Sequence, residues 1–263
     1  MNRALYVAKT GLEAQSFRLA AISNNLANAN TYGFKTGRAE FQDLVYQNVR
    51  QPGAQATQDE ANTLPSGLQL GTGVKAVGVQ KIHTQGNLMI TDNQLDLAIE
   101  GKGFFQVTDQ DGNLMYTRDG SFEVNQNGDV VTSSGYLVEP NINIPQDALS
   151  ISITRDGAVF VRQPGNAQDA QVGQITLATF INPAGLESMG QNFFQETTAS
   201  GAPNVNNPED QEAGSLLQGA LESSNVNTVE ELIGMIEAQR TYEMNSKAIS
   251  AANGMMQYLN NNT

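Results

Sequence analysis

The chain has 263 residues, enough for one large domain or two small ones, with no cysteine, no tryptophan and a single histidine. Its formal net charge of −13 argues against general nucleic-acid binding, which needs clustered Lys and Arg. The missing cysteines exclude disulfides and thiol catalysis, and one histidine excludes a His-pair metal site.

Residues 3–28 are predicted to form one amphipathic helix. Leu5, Leu12, Leu19 and Leu26 recur every seven residues, and Ala8, Gln15 and Ile22 follow three residues on. That is the a/d pattern of a coiled-coil seam. The first residues lack the continuous apolar core of a cleavable signal peptide, so export, if it occurs, is expected by a route that keeps the N-terminus. The helix should stop in Asn28-Ala29-Asn30-Thr31-Tyr32-Gly33, a run rich in capping residues. Beyond Phe34, Phe41, Leu44, Val45 and Tyr46, a polar stretch from Gln51 to Gly73 is too long for an ordinary loop and reads as an arm or a linker.

From Val74 to Phe194 the pattern changes to short strands. Asp111-Gly112, Asp119-Gly120, Asn127-Gly128 and Asp156-Gly157 punctuate them as tight-turn signals. Residues 196–215 are polar and irregular. A last helix is expected from Asn227-Thr228 to about Leu259, with Glu230 and Glu231 in its first turn, where the helix dipole favours acids. It carries a second seam of Met235, Tyr242, Ile249 and Met256, with Ala238, Asn245, Ala252 and Leu259 three residues on. Gln15 and Asn245 are polar seam residues that either set register or sit at a tolerant boundary. Residues 1–50 carry six basic and three acidic residues, so the negative charge lies in the remainder, and a mildly basic first helix can pair with a mildly acidic last one.

The expected fold class is α+β: paired N- and C-terminal coiled-coil-like helices with an inserted all-β domain and an extended arm. Residues 1–35 plus 225–263 form the helical domain, 36–73 the arm or linker and 74–224 the β-rich domain. Two stripes at opposite chain ends, outside the β-region, suit a building block better than an enzyme. No catalytic set emerges. His83 has no Gly-x-Ser-x-Gly elbow to serve, Gly71-Thr72-Gly73 and Gly101-Lys102-Gly103 lack P-loop spacing, and Asp109-Gln110-Asp111-Gly112-Asn113 lacks the later ligands of a calcium loop. No stretch approaches the ~20 apolar residues of a membrane span.

Three separated segments then carry a resemblance. Ser23-Asn24-Asn25-Leu26-Ala27-Asn28-Ala29-Asn30-Thr31-Tyr32-Gly33-Phe34-Lys35 resembles the N-terminal signature of the bacterial flagellar rod and hook protein family. Ser224-Asn225-Val226-Asn227, followed by Glu230-Glu231-Leu232, Met235-Ile236, Gln239-Arg240, Tyr242-Glu243 and Asn245-Ser246-Lys247, resembles its C-terminal signature. Ala98 to Phe105 and Tyr116 to Phe122 resemble its shared β-domain.

The segment Gln51-Pro52-Gly53-Ala54-Gln55, continuing to Val74, is similar to the one that sets the rigid distal rod apart from the flexible hook within the family. The resemblance implies a distal-rod subunit that stacks helically into a hollow drive shaft, helices inside, β-domain outside, with the arm as stiffener. A proximal-rod or hook-type subunit is the nearest alternative, and a secreted β-domain binding module a more distant one. Implied partners are other copies of the chain, proximal rod proteins, the hook protein, the outer-membrane and peptidoglycan ring proteins and the flagellar export apparatus. No cofactor, metal, nucleic acid or membrane insertion is implied. Asn24, Asn25, Asn28, Gly33, Phe34, Lys35, Asn225, Gln239 and Arg240 become candidate assembly residues through the signatures. Both chain ends are expected to be largely disordered in the free subunit and to fold on assembly.

Overall fold

The computed structural model describes residues 2–51, 66–109, 111–165 and 168–261. Two long helices, α1 (Asn2–Ala27) and α2 (Thr228–Asn261), flank many short strands, so the fold is α+β. The chain divides into two compact units. One comprises residues 1–26, 37–80 and 227–263, and the other residues 27–36 and 81–226.

In the helical unit, α1 and α2 run antiparallel. Gly11 meets Asn245, Arg18 meets Glu237, Ile22 meets Gly234 and Asn25 meets Glu231, so the partner's number falls as α1 advances. Gly11 has a packing reason: a Cβ there would lie 3.0 Å from Asn245 Nδ2. Ile22 and Ala238 are buried. The Arg18–Glu237 pair, 3.7 Å apart and exposed, adds little stability. Asn227 caps α2, its Oδ1 accepting from the Val229 amide at 3.2 Å and the Glu230 amide at 3.5 Å.

In the same unit, the segment expected as an arm contains paired strands. Gly37–Asp43 pairs with Val74–Lys81, and Gln47–Arg50 pairs antiparallel with Leu68–Leu70. The Leu44 amide donates to Gly73 at 2.9 Å between the two pairs, and the Thr72 hydroxyl to Val45 at 2.8 Å. Strand pairing therefore extends past residue 73, where the arm was expected to end. Phe41 meets Phe17 of α1 edge to face, anchoring the base.

The β unit is built around the strand Phe104–Thr108. One edge pairs with Leu114–Thr117. The other is shared, Leu137–Glu139 taking the C-terminal half and Leu177–Thr179 the N-terminal half. Phe105 and Val107 point into a large core with Leu97, Ile99, Phe122 and Leu177. Phe104 points the other way, among Tyr116, Ala178 and Phe194. Both faces are covered, which is why this strand shows no alternation of polar and apolar residues.

Gly112, Gly128 and Gly157 all have positive φ and close hairpins, as their Asp-Gly and Asn-Gly pairs predict. Asp119-Gly120 is different. Its glycine is required because the Leu97 carbonyl occupies the space of a Cβ.

Candidate assembly site

The residues of the N-terminal signature part company at the end of α1. Asn25 stays with the helices and is buried. Its Nδ2 donates to Glu231 Oε1 and to the Gly37 carbonyl, both at 2.9 Å, and its Oδ1 accepts from the Gly37 amide at 2.9 Å. One amide side chain thus joins α1, α2 and the first strand.

Residues 27–36 belong instead to the β unit. The turn starts with the Thr31 amide donating to Asn28 at 3.2 Å and passes through Gly33 at φ +68°. The Gly33 amide donates to the Glu222 carbonyl at 2.8 Å. Lys35 follows, fully buried, with its Nζ 2.6 Å from Glu222 Oε1 and 2.7 Å from the Thr84 carbonyl. The other carboxylate oxygen of Glu222 takes Arg118 Nη1 at 3.3 Å. Asn225 closes the arrangement. Its Oδ1 accepts from the Thr36 amide and hydroxyl at 2.7 and 2.8 Å, and its Nδ2 donates to the Ile82 carbonyl at 2.8 Å. The N-terminal turn, the Arg118 segment and the strand Ala220–Glu222 meet on one buried carboxylate.

Burial pulls the Lys35 ammonium and the Arg118 guanidinium down from their usual pKa, and Glu222 opposes the fall in both. His83 lies beside them, with Phe104 and Phe194 edge to face at 5.5 Å each. Burial first, then the charges of Lys35, Arg118 and Lys81, lowers its pKa from 6.5 to about 4, and the Pro183 carbonyl offsets a little of this. The folded value lies below the unfolded one, so the unfolded chain takes up the proton first on acidification. His83's contribution to stability is full above pH 6.5 and is lost between 6.5 and 4, by about 3 kcal/mol in all. Urea midpoints of the wild type and His83→Phe, followed across that window, should show a flatter slope in the variant. Equal slopes would contradict the assignment.

The seam residues Leu5, Leu12, Leu19, Leu26, Met235, Asn245, Ile249 and Met256 are all partly buried. Tyr242 is exposed. Gln15 keeps a buried Oε1 without a partner. Asn24, Gln239 and Arg240 are on exposed helix faces, and Gln51 is exposed. Pro52, Gly53, Ala54 and Gln55 lie outside the described residues. Phe34 and Lys35, expected to pack between subunits, are buried within their own β unit, Phe34 under the Lys81 ammonium at 4.3 Å. Sequence reasoning missed Glu222 altogether and saw Arg118 only as part of a motif. An acid flanked by Leu221 and Ser223 in a short strand carries no local sign of its partners.

No group of three or more metal-ligating side chains occurs among the described residues. None of their helices is long and apolar enough to cross a membrane.

Three family models match the chain. Residues 5–35 match the flagella basal body rod protein, residues 98–161 the flagellar hook protein FlgE/F/G D1 domain, and residues 217–262 the flagellar basal body rod FlgEFG protein C-terminal. The flagellar basal-body rod protein FlgG of Buchnera aphidicola (Acyrthosiphon pisum) is 52% identical over 98% of this chain and 99% of its own length. The protein of that name from Caulobacter vibrioides is 49% identical over 97% of each chain, and that from Bacillus subtilis 39% identical over 99% of each.

Proposed function

The chain belongs to the flagellar basal-body rod protein family, and from that premise we propose that it polymerises helically into the distal rod, a stiff hollow shaft that carries motor torque to the hook. It is a structural subunit and not an enzyme. The observation that carries the distal-rod reading is the match, at 52% and 49% identity over nearly the whole chain, to proteins named flagellar basal-body rod protein FlgG.

The helical unit supports polymerisation on physical grounds. Tyr6, Val7 and Phe17 on α1, and Val229, Leu232, Ile233, Ile236, Tyr242 and Met244 on α2, are exposed. Apolar surface of this extent is covered in a working protein. Neighbouring copies cover it, α1 and α2 pack as a coiled-coil-like wall around the central channel, and the β unit faces outward. The signature residues Asn24, Gln239 and Arg240, exposed in the subunit, make contacts between copies. The residues from Gln51 onward, including Pro52, Gly53, Ala54 and Gln55, stiffen the shaft through contacts with other copies. Proximal rod proteins, the hook protein, the ring proteins of the outer membrane and peptidoglycan, and the export apparatus are the further partners. The subunit leaves the cell through that apparatus.

Immunogold electron microscopy of isolated basal bodies, with antibody against the β unit, tests this. Label is expected on the straight shaft just below the hook. Label on the curved hook, or only on the membrane-proximal shaft, assigns the chain to a sibling role. Basal bodies without label overturn the rod reading.

A further inference from the structure

The β unit holds a pocket of about 250 Å³. His83, Phe104, Arg118 and Phe180 line it, with Lys102 and Asn204 also on its wall. Two features of this wall point to a missing anion. The first is charge. Lys35 and Arg118 share one carboxylate, Glu222, and the charges of Lys35, Arg118 and Lys81 all bear on His83. Lys102 has an exposed partner, Glu212, at 3.3 Å. Lys35 and Arg118 therefore have one carboxylate between them, and on the wall itself Lys102 is paired with Glu212, which also lines the pocket.

The second feature is hydrogen bonding. Arg118 is almost fully buried, yet its Nε has no partner. A buried donor without an acceptor costs about 1–3 kcal/mol, so the wall is chemically unfinished. A carboxylate supplies both the negative charge and the acceptor oxygens. Its methylene stem suits the rings of Phe104 and Phe180.

We propose that this pocket receives a glutamate or aspartate side chain from a neighbouring copy of the chain. This rests on the rod reading for its source of ligand. Each copy carries 27 acidic residues against 14 basic ones, so a stack of copies is rich in carboxylates and short of cationic acceptors. A basic pocket on an acidic subunit lets like-charged copies pack with a specific register.

His83 is the only histidine, so its imidazole gives a single resolved NMR signal that reports on the pocket. N-acetylglutamate added to the full-length monomer at neutral pH should shift that signal saturably, and N-acetylglutamine should not. The rim variant Lys102→Glu should weaken the interaction about fivefold, the upper range for an exposed charge. Assembled tubes of the full chain should show the shifted signal with nothing added. A His83 signal indifferent to N-acetylglutamate overturns the pocket's chemistry, however well the chain assembles. A response to N-acetylglutamate, with tubes that keep the monomer signal, overturns the neighbouring copy as the source. A chain that never forms tubes sinks the rod reading and the neighbouring copy with it, while the titration still reads the pocket.

Discussion

Replacing Glu222 with leucine should destabilise the β unit by about 3–5 kcal/mol, because it strands two buried cations. Lys35 and Arg118 are both nearly inaccessible to solvent, and Glu222 Oε1 and Oε2 are their respective partners. Glu222 Oε1 also accepts the Gly86 amide at 2.8 Å, so a buried backbone donor is orphaned as well. The attraction within such a cluster is largely offset by the desolvation of its members. The loss therefore measures the uncompensated charge left behind, not the strength of the original pairs. That distinction is testable. Lys35→Met combined with Glu222→Leu should cost clearly less than the two single changes added together, since the double variant removes one stranded cation. Urea unfolding of the full chain reads both. A Glu222→Leu loss below about 1 kcal/mol would mean that the cluster is hydrated and not buried as described.

Gly33→Ala should cost about 2–4 kcal/mol, combining a left-handed backbone with overpacking. Gly33 sits at φ +68°, and a Cβ there would lie 2.6 Å from the Asp119 nitrogen and 2.7 Å from the Arg118 carbonyl carbon. Those are backbone atoms, which cannot rotate aside as a side chain can. Moving them also disturbs the guanidinium that Glu222 holds and the Gly33 amide bond to the Glu222 carbonyl. Gly135 is the control. It has φ +84° with open space around its Cβ position, so Gly135→Ala carries the conformational cost alone, about 1–2 kcal/mol. The difference between the two variants isolates the collision. Equal losses would show that the turn relaxes away from Arg118 and that its fit against the β unit is loose.

The helices were legible because their signal is local. Apolar residues at helical spacing, an Asn cap before Glu230 and Glu231, and an Asn-rich stop all act within one or two turns of chain. A seven-residue repeat drifts around a straight helix of 3.6 residues per turn, and Tyr242 is exposed in the single subunit while Asn245 and Ile249 are partly covered. Turn glycines followed the same rule. Gly112, Gly128 and Gly157 needed only their neighbours to be predicted, whereas Gly120 is explained by Leu97, a residue outside its own turn.

The clasp was not legible. Lys35 and Glu222 are 187 residues apart in sequence, and Arg118 and Glu222 are 104 apart. Lys35 was a candidate for packing between subunits only through its place in the N-terminal signature. Its burial follows from the positive φ of Gly33, which turns the chain into the β unit, and from an acid on a strand whose register places it opposite. The same holds for Asn225, a candidate assembly residue by its signature, which ties Thr36 to Ile82.

By itself the sequence determined the secondary structure at the chain ends, the hairpin positions, the lack of a catalytic set and the family, since each rests on residue type and short-range spacing. The tertiary structure alone decided which charges are buried together, which glycines touch backbone and where cations outnumber their partners. Those depend on strand register and on contacts between distant segments, and pairing across such distances leaves no periodic trace in a single chain.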